Sequence, residues 1–191
     1  MVNVVLLGGN GYIGQNIINT WMKQDSNVNF YVYSRSNKNR SNNPNIKSYA
    51  VDVTDFSNLK AFLPNKIDYI IDLVGHPEKE KNQLKRINEE PARTMLELAN
   101  TYHVKGMGFI QGSLGPKAFL EVKQRTADML VNSGIPTAIV NPTLVYGNGR
   151  SDALSKLVPL FKFLGAFAAK LRPVHVSVVA EEMVIKLRDI K

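Results

Sequence analysis

Three features of the sequence predict an α/β fold with a doubly wound parallel sheet. Short β-branched runs alternate with longer stretches of helical periodicity through most of the chain. The first apolar run, residues 2–7, breaks directly into glycines at 8, 9, 11 and 14 before a helical pattern resumes. A chain of 191 residues, 44% hydrophobic and 21% charged, carries enough apolar surface for one substantial core and is too short for two ordinary domains. The expectation is a single domain over residues 1–191, with 150–191 forming a small C-terminal cap.

The elements follow in order. Residues 2–8 read as a buried strand, and 12–24 as a helix turning Ile13, Ile17, Ile18 and Trp21 inward. Residues 28–34 form a second strand. The Asn- and Ser-rich stretch 35–45, with one proline, reads as a loop. A third strand covers 46–52, a short helix 56–63 and a fourth strand 67–75. A long helix is expected from 79 to 103, kinked or broken at Pro91. Residues 105–113 are a fifth strand, 117–133 a helix and 136–142 a sixth strand. The tail holds an apolar helix near 153–169, a short strand at 173–177 and a closing helix at 178–189. Such alternation places right-handed crossovers on both faces of a parallel sheet.

Composition removes several classes of function. The absence of cysteine excludes disulfides, zinc–thiolate sites and a cysteine nucleophile, and no metal site is expected. Residues 2–7 run into glycines without a basic flank, unlike a secretory leader, and no uninterrupted apolar run reaches the length of a membrane span. A soluble cytoplasmic protein is expected. The formal net charge is +8, but much of the excess is scattered over Lys60, Lys66, Lys105 and Lys186. The one local cluster, Arg35, Lys38, Arg40 and Lys47, lacks interleaved aromatics and any helix-turn-helix cue. A nucleic-acid partner is therefore not expected.

Gly9-x-Gly11-x-x-Gly14 and Gly8-x-x-Gly11-x-x-Gly14 both fit a dinucleotide turn of the Rossmann fold. One glycine makes the sharp strand-to-helix turn, another admits a pyrophosphate to the backbone, and Gly14 lets the helix approach the sheet. Tyr12 and Ile13 then offer backbone N–H groups at a helix N-terminus to the anion. A tight turn without ligand is the plain alternative. The end of the second strand carries Ser34 and Arg35 and no acid. A guanidinium suits a 2′-phosphate, whereas an NAD site usually places a carboxylate there, so NADP is favoured and NAD stays open. The alternative for Arg35 is a loop cation.

In order along the chain, "GGNGYIG", "VDVTD", "DYIIDLVG", "INEEPARTMLELA", "NPTLVYGNG" and "PVHVSVVAEEMV" resemble the motifs of the short-chain dehydrogenase/reductase superfamily, in its extended or atypical branch. That branch includes sugar-nucleotide epimerases, reductases, NmrA-like regulators and the accessory subunit of respiratory complex I. The resemblance implies that Asp52 and Val53 border the adenine, that Val74 and Gly75 pass beside a cofactor ribose, and that Pro142 and Leu144 approach the nicotinamide. Asn88 takes the place of the family's helix asparagine, with Pro91 where Gly is usual and Val178 where Asp is common. Read alone, Asn88 is a solvent-facing helix residue, and Asn141 with Pro142 a strand terminus.

The family's catalytic core pairs a Tyr with a Lys four residues later on one helical face, and adds a Ser on the preceding strand end. Lys123 fits that Lys, as catalytic residue and ribose ligand, and Ser113 fits the Ser, but the Tyr position holds Phe119. A phenyl ring exchanges no proton, and removing a general acid costs about 10²–10⁴ in rate. Tyr146, His76 or a water are the candidate substitutes. Two readings follow. In one, an NADPH-preferring oxidoreductase passes hydride to a small quinone, flavin or carbonyl. In the other, a non-catalytic NADP(H) sensor or scaffold meets a protein partner or membrane surface. The segment carrying Leu154, Leu157, Leu160, Phe161, Leu164 and Phe167 reads either as a helix packed over the sheet or as a basic amphipathic helix. The short tail implies a small or open pocket, so sugar-nucleotide substrates are less expected.

Overall fold

The computed structural model describes residues 1–36, 41–148, 158, 159, 161 and 172–190. Six strands, β1 (Val2–Leu7), β2 (Val28–Ser34), β3 (Ile46–Ala50), β4 (Tyr69–Asp72), β5 (Gly106–Ile110) and β6 (Thr137–Val140), form one sheet in the order β3-β2-β1-β4-β5-β6. Every pairing is parallel. The fold is therefore the doubly wound sheet that the sequence predicts. The chain leaves β1 in one direction for β2 and β3, then returns to β4 on the other side. The crevice of a doubly wound sheet opens at that reversal, beyond the carboxyl ends of the strands.

Alternation along β1 assigns each residue to a face. Val4 and Leu6 pack with Ile17, Ile18 and Trp21 of α1 (Tyr12–Gln24) and with Val176, Val179, Met183 and Leu187 of the last helix, α6 (Val176–Arg188). Val5 and Leu7 pack on the other face with Leu59 of α2 (Phe56–Lys60), Ala92, Met95 and Leu98 of α4 (Glu90–Tyr102), and Ala127 and Leu130 of α5 (Lys117–Val131). Both faces are covered, which is why the central strands read as continuous apolar runs. Ile17, Ile18 and Trp21 are buried as expected, and Ile13 is half-buried against the same cluster.

The long helix expected over 79–103 is two helices, α3 (Lys81–Asn88) and α4, separated at Glu89. Pro91 sits in the first turn of α4, where a missing N–H is harmless; continued helix would drive its ring into the carbonyl four residues back. Glu80 caps α3, accepting from the N–H groups of Asn82 and Gln83. The closing helix begins at Val176, two residues early, because the His175 ring nitrogen accepts from Ser177 N–H and caps it. Only Val174–His175 of the expected strand then remains as β8, paired with β7 (Val145–Tyr146) in a separate two-stranded sheet. Of the expected apolar helix near 153–169 only residues 158, 159 and 161 are described, and these are helical; the rest of it and the cations Lys38 and Arg40 lie outside the described residues. No described helix is long and apolar enough to cross a membrane.

Candidate functional site

The turn after β1 is built on absent side chains. Gly8 has φ +80°, and a Cβ there would stand 2.9 Å from Val74 Cγ2. A Cβ on Gly14 would collide with the Gly9 backbone, so α1 starts hard against the turn. Gly11 is the N-cap of α1 and supplies no side-chain oxygen, and the first turn holds no acid. The leading N–H groups of a helix have no intrahelical acceptors and favour an anion. Asn10 ties this turn to the end of β2: its N–H donates to Ser34 Oγ (3.3 Å) and its Nδ2 to the Ser36 carbonyl (2.8 Å).

A cleft of about 440 Å³ opens at the reversal of strand order. Eight residues singled out from the sequence line it: Gly8, Gly11, Ser34, Arg35, Asp52, Val53, Val74 and Gly75. Gly9 and Gly14 lie within the turn beneath, and Tyr12 and Ile13 open α1 beside it. Sequence reasoning missed Asn10, Thr54, Gln83, Arg86 and Ile87 as wall residues. Asp52 Oδ1 accepts from the Thr54 N–H (3.0 Å) and Oγ1 (2.8 Å). These bonds, with the Arg86 and Arg35 guanidiniums nearby, hold its carboxyl below the usual range. His76, one candidate substitute acid, also lines the cleft; Tyr146 does not, and its ring meets His175 edge-on at 5.3 Å.

Behind Gly75 the character changes. Lys123 is buried, its Nζ 3.9 Å from the centre of the Phe109 ring and 3.4 Å from where a Gly75 Cβ would stand. Asp72 is buried at the end of β4, with Oδ1 accepting from Val74 N–H (2.9 Å) and Oδ2 without a hydrogen-bond partner among the described residues. Desolvation pushes its carboxyl up to about 6, against the pull of Lys123. Desolvation likewise pushes the Lys123 ammonium down to about 8, against the pull of Asp72. Asn88 is buried rather than solvent-facing; its Nδ2 donates to the carbonyls of His76 (3.0 Å) and Leu84 (2.8 Å). Its Oδ1 is the atom that a Cβ on Gly75 would strike, at 2.5 Å. Asp72, which sequence reasoning also missed, left one signal: an acid closing the otherwise apolar run of β4.

Phe119 packs with Leu84 and Val122 and against Gly115. Ser113 is exposed past the end of β5, and both its N–H (2.9 Å) and its Oγ (3.1 Å) donate to the Pro142 carbonyl. The structure thus brings Ser113 and Pro142 together. Leu144 is buried, and its carbonyl accepts from Val174 N–H (2.9 Å). None of Ser113, Lys123, Pro142 and Leu144 lines the cleft wall; they lie behind Gly75 or beyond β5 and β6.

The cradle fits an extended ligand with a diphosphate centre. A side chain at Gly8 would crowd its Val74 wall, the helix N-terminus that Gly14 lets approach the turn faces it, and a guanidinium stands at its far end. Among solved structures, the chain superposes on dTDP-glucose 4,6-dehydratase from Bacillus anthracis str. Ames, in complex with NAD, with a TM-score of 0.78 and 16% identity, over 100% of this chain and 73% of that one. The Bordetella bronchiseptica enzyme WbmG, in complex with NAD, gives 0.76 and 14%, over 98% and 69%. A variant of ElxO with NADPH bound gives 0.73 and 16%, over 98% and 92%. At such identities the likeness shows the fold. No curated protein matches the sequence. The family model described as NAD dependent epimerase/dehydratase family matches residues 4–114, more than half of the chain, from within β1 to past the end of β5. The resemblance to the short-chain dehydrogenase/reductase superfamily is borne out on its epimerase-like side, and the chain belongs to the NAD dependent epimerase/dehydratase family.

Proposed function

We propose that the chain binds a nicotinamide adenine dinucleotide along this cleft, NADP(H) in preference to NAD(H), and passes hydride to a small quinone, flavin or carbonyl acceptor. The observation that carries the reading is one continuous wall with a glycine cradle at one end and Arg35, without an acid on β2, at the other. Gly8, Gly9, Gly11 and Gly14 turn the chain around the diphosphate, and Tyr12 and Ile13 present N–H groups to it. Ser34 and Arg35 take the 2′-phosphate, Asp52 and Val53 the adenine, and Val74 and Gly75 a ribose. Lys123 supports the nicotinamide ribose from behind Gly75, and Pro142 and Leu144 border the nicotinamide. The structural neighbours carrying NAD or NADPH support a nicotinamide cofactor without choosing between the two.

Bound NADPH supplies the hydride. To hold the acceptor oxygen, Ser113 turns its Oγ–H away from the Pro142 carbonyl, and Phe119 delivers no proton, so the accompanying proton comes from solvent. This favours acceptors whose reduced form is protonated readily by water. The burial of Phe119 favours a second reading, in which the chain binds the dinucleotide as a sensor and turns nothing over. NADPH oxidation against a panel of quinones, flavins and aldehydes decides between them. Turnover that falls in Ser113→Ala supports the oxidoreductase; no turnover, with partner capture that depends on the dinucleotide, supports the sensor.

A further inference from the structure

The adenine end of the cleft holds a cation that this assignment leaves unused. Arg86, on α3, reaches toward Asp52, with its Nη2 4.0 Å from Asp52 Oδ2. Asp52 follows β3 and α3 follows β4, and β2 and β1 lie between them in the sheet. The pair therefore bridges the cleft above the strand ends that carry Arg35 and the glycine turn. It is a loose bridge: the side chains are 55% and 44% exposed, and exposed pairs contribute little to stability. Arg35 acts on the same carboxylate from the end of β2. Two guanidiniums thus share one carboxylate, and Arg35, Arg86 and Asp52 leave this end of the wall with one surplus positive charge.

We propose that Arg86 is the second cationic ligand of a phosphate monoester on the adenosine ribose, closing on it from α3 while Arg35 holds it from β2. The inference rests on the NADP(H) reading above and deepens it. A phosphate monoester carries between one and two negative charges at neutral pH and three strong acceptor oxygens, more than one guanidinium satisfies. In this structure Arg86 already reaches toward Asp52 across the opening. Exchange of one anionic partner for a more highly charged one then costs little, because the pair it replaces is solvated.

The test is titration of wild-type, Arg35→Gln and Arg86→Gln protein with NADPH and with NADH. Arg86→Gln is expected to weaken NADPH by about tenfold and NADH by less than twofold, with the NADPH loss shrinking as salt rises. Because Arg86 is exposed, its variant should keep the wild-type unfolding midpoint. Equal losses for the two dinucleotides, or none, overturn the role of Arg86 while leaving the cofactor reading intact. A wild-type chain that binds neither dinucleotide, or binds NADH more tightly than NADPH, overturns the reading and this inference with it.

Discussion

The two ends of the crevice hold their polar groups in opposite ways. At the β1–β2–β3 end, Arg35, Asp52 and Arg86 stand on the walls, solvated and within reach of a ligand. At the β4–β5–α5 end, Asp72, Asn88 and Lys123 are buried behind Gly75, and the ring of Phe119 is packed among apolar side chains. The first arrangement suits recognition: charges in water cost little to hold ready and gain by meeting an anion. The second places an acid and a base where desolvation drives each toward its neutral form. Dinucleotide binding and proton chemistry are thus separable demands on one fold. On the proposed reading the first end serves dinucleotide binding, and the position that the resemblance gives to a proton-donating Tyr holds Phe119.

The sharpest way to break the contrast is to restore the hydroxyl. If the second end lacks only a proton donor, Phe119→Tyr raises aldehyde reduction by NADPH by about 10²-fold or more, read as initial rate. An unchanged rate shows that this end serves packing alone.

The buried pair gives a pH signature of its own. The Asp72 carboxyl ionises near 3.8 when exposed and near 6 in the fold. Between these values the native state holds a proton that the unfolded state has lost. Its favourable contribution is complete below about pH 4 and is lost as the pH rises through about 6. The full swing is on the order of 3 kcal/mol. Asp72→Asn should flatten that part of the profile in urea unfolding followed from pH 4 to 7; a parallel profile would show Asp72 ionised normally.

At the first end, Gly14→Ala pushes a methyl group into the Gly9 backbone. The expected loss is ~1–3 kcal/mol of stability, read as a lower unfolding midpoint. Dinucleotide affinity should fall with it, since the diphosphate cradle moves. Wild-type stability and affinity in this variant would show that the turn has slack.

Much of this was legible in the sequence because it is local. The strand–glycine–helix sequence of residues 2–24 specifies both the turn and the face of α1 that turns inward. Arg35 immediately follows β2, so its place on the cleft wall could be read directly. Arg86 and Ile87 could not: they reach the cleft wall that carries Arg35 and Asp52 only because the strand order brings α3 over it. Lys123 is legible through its match to the family's helix lysine, but its burial behind Gly75 depends on the packing of α5 against α3 and β5. The start of α6 is not legible in the sequence because histidine is not a common cap, whereas the break at Pro91 is readable from the ring alone.

The most direct test of the account is a calorimetric titration of the purified chain with NADPH and, separately, NADH. A dinucleotide lying across the glycine turn with its 2′-phosphate on Arg35 predicts saturable binding of both, with NADPH the tighter. Absence of heat and of thermal stabilisation with either coenzyme at saturating excess would contradict it.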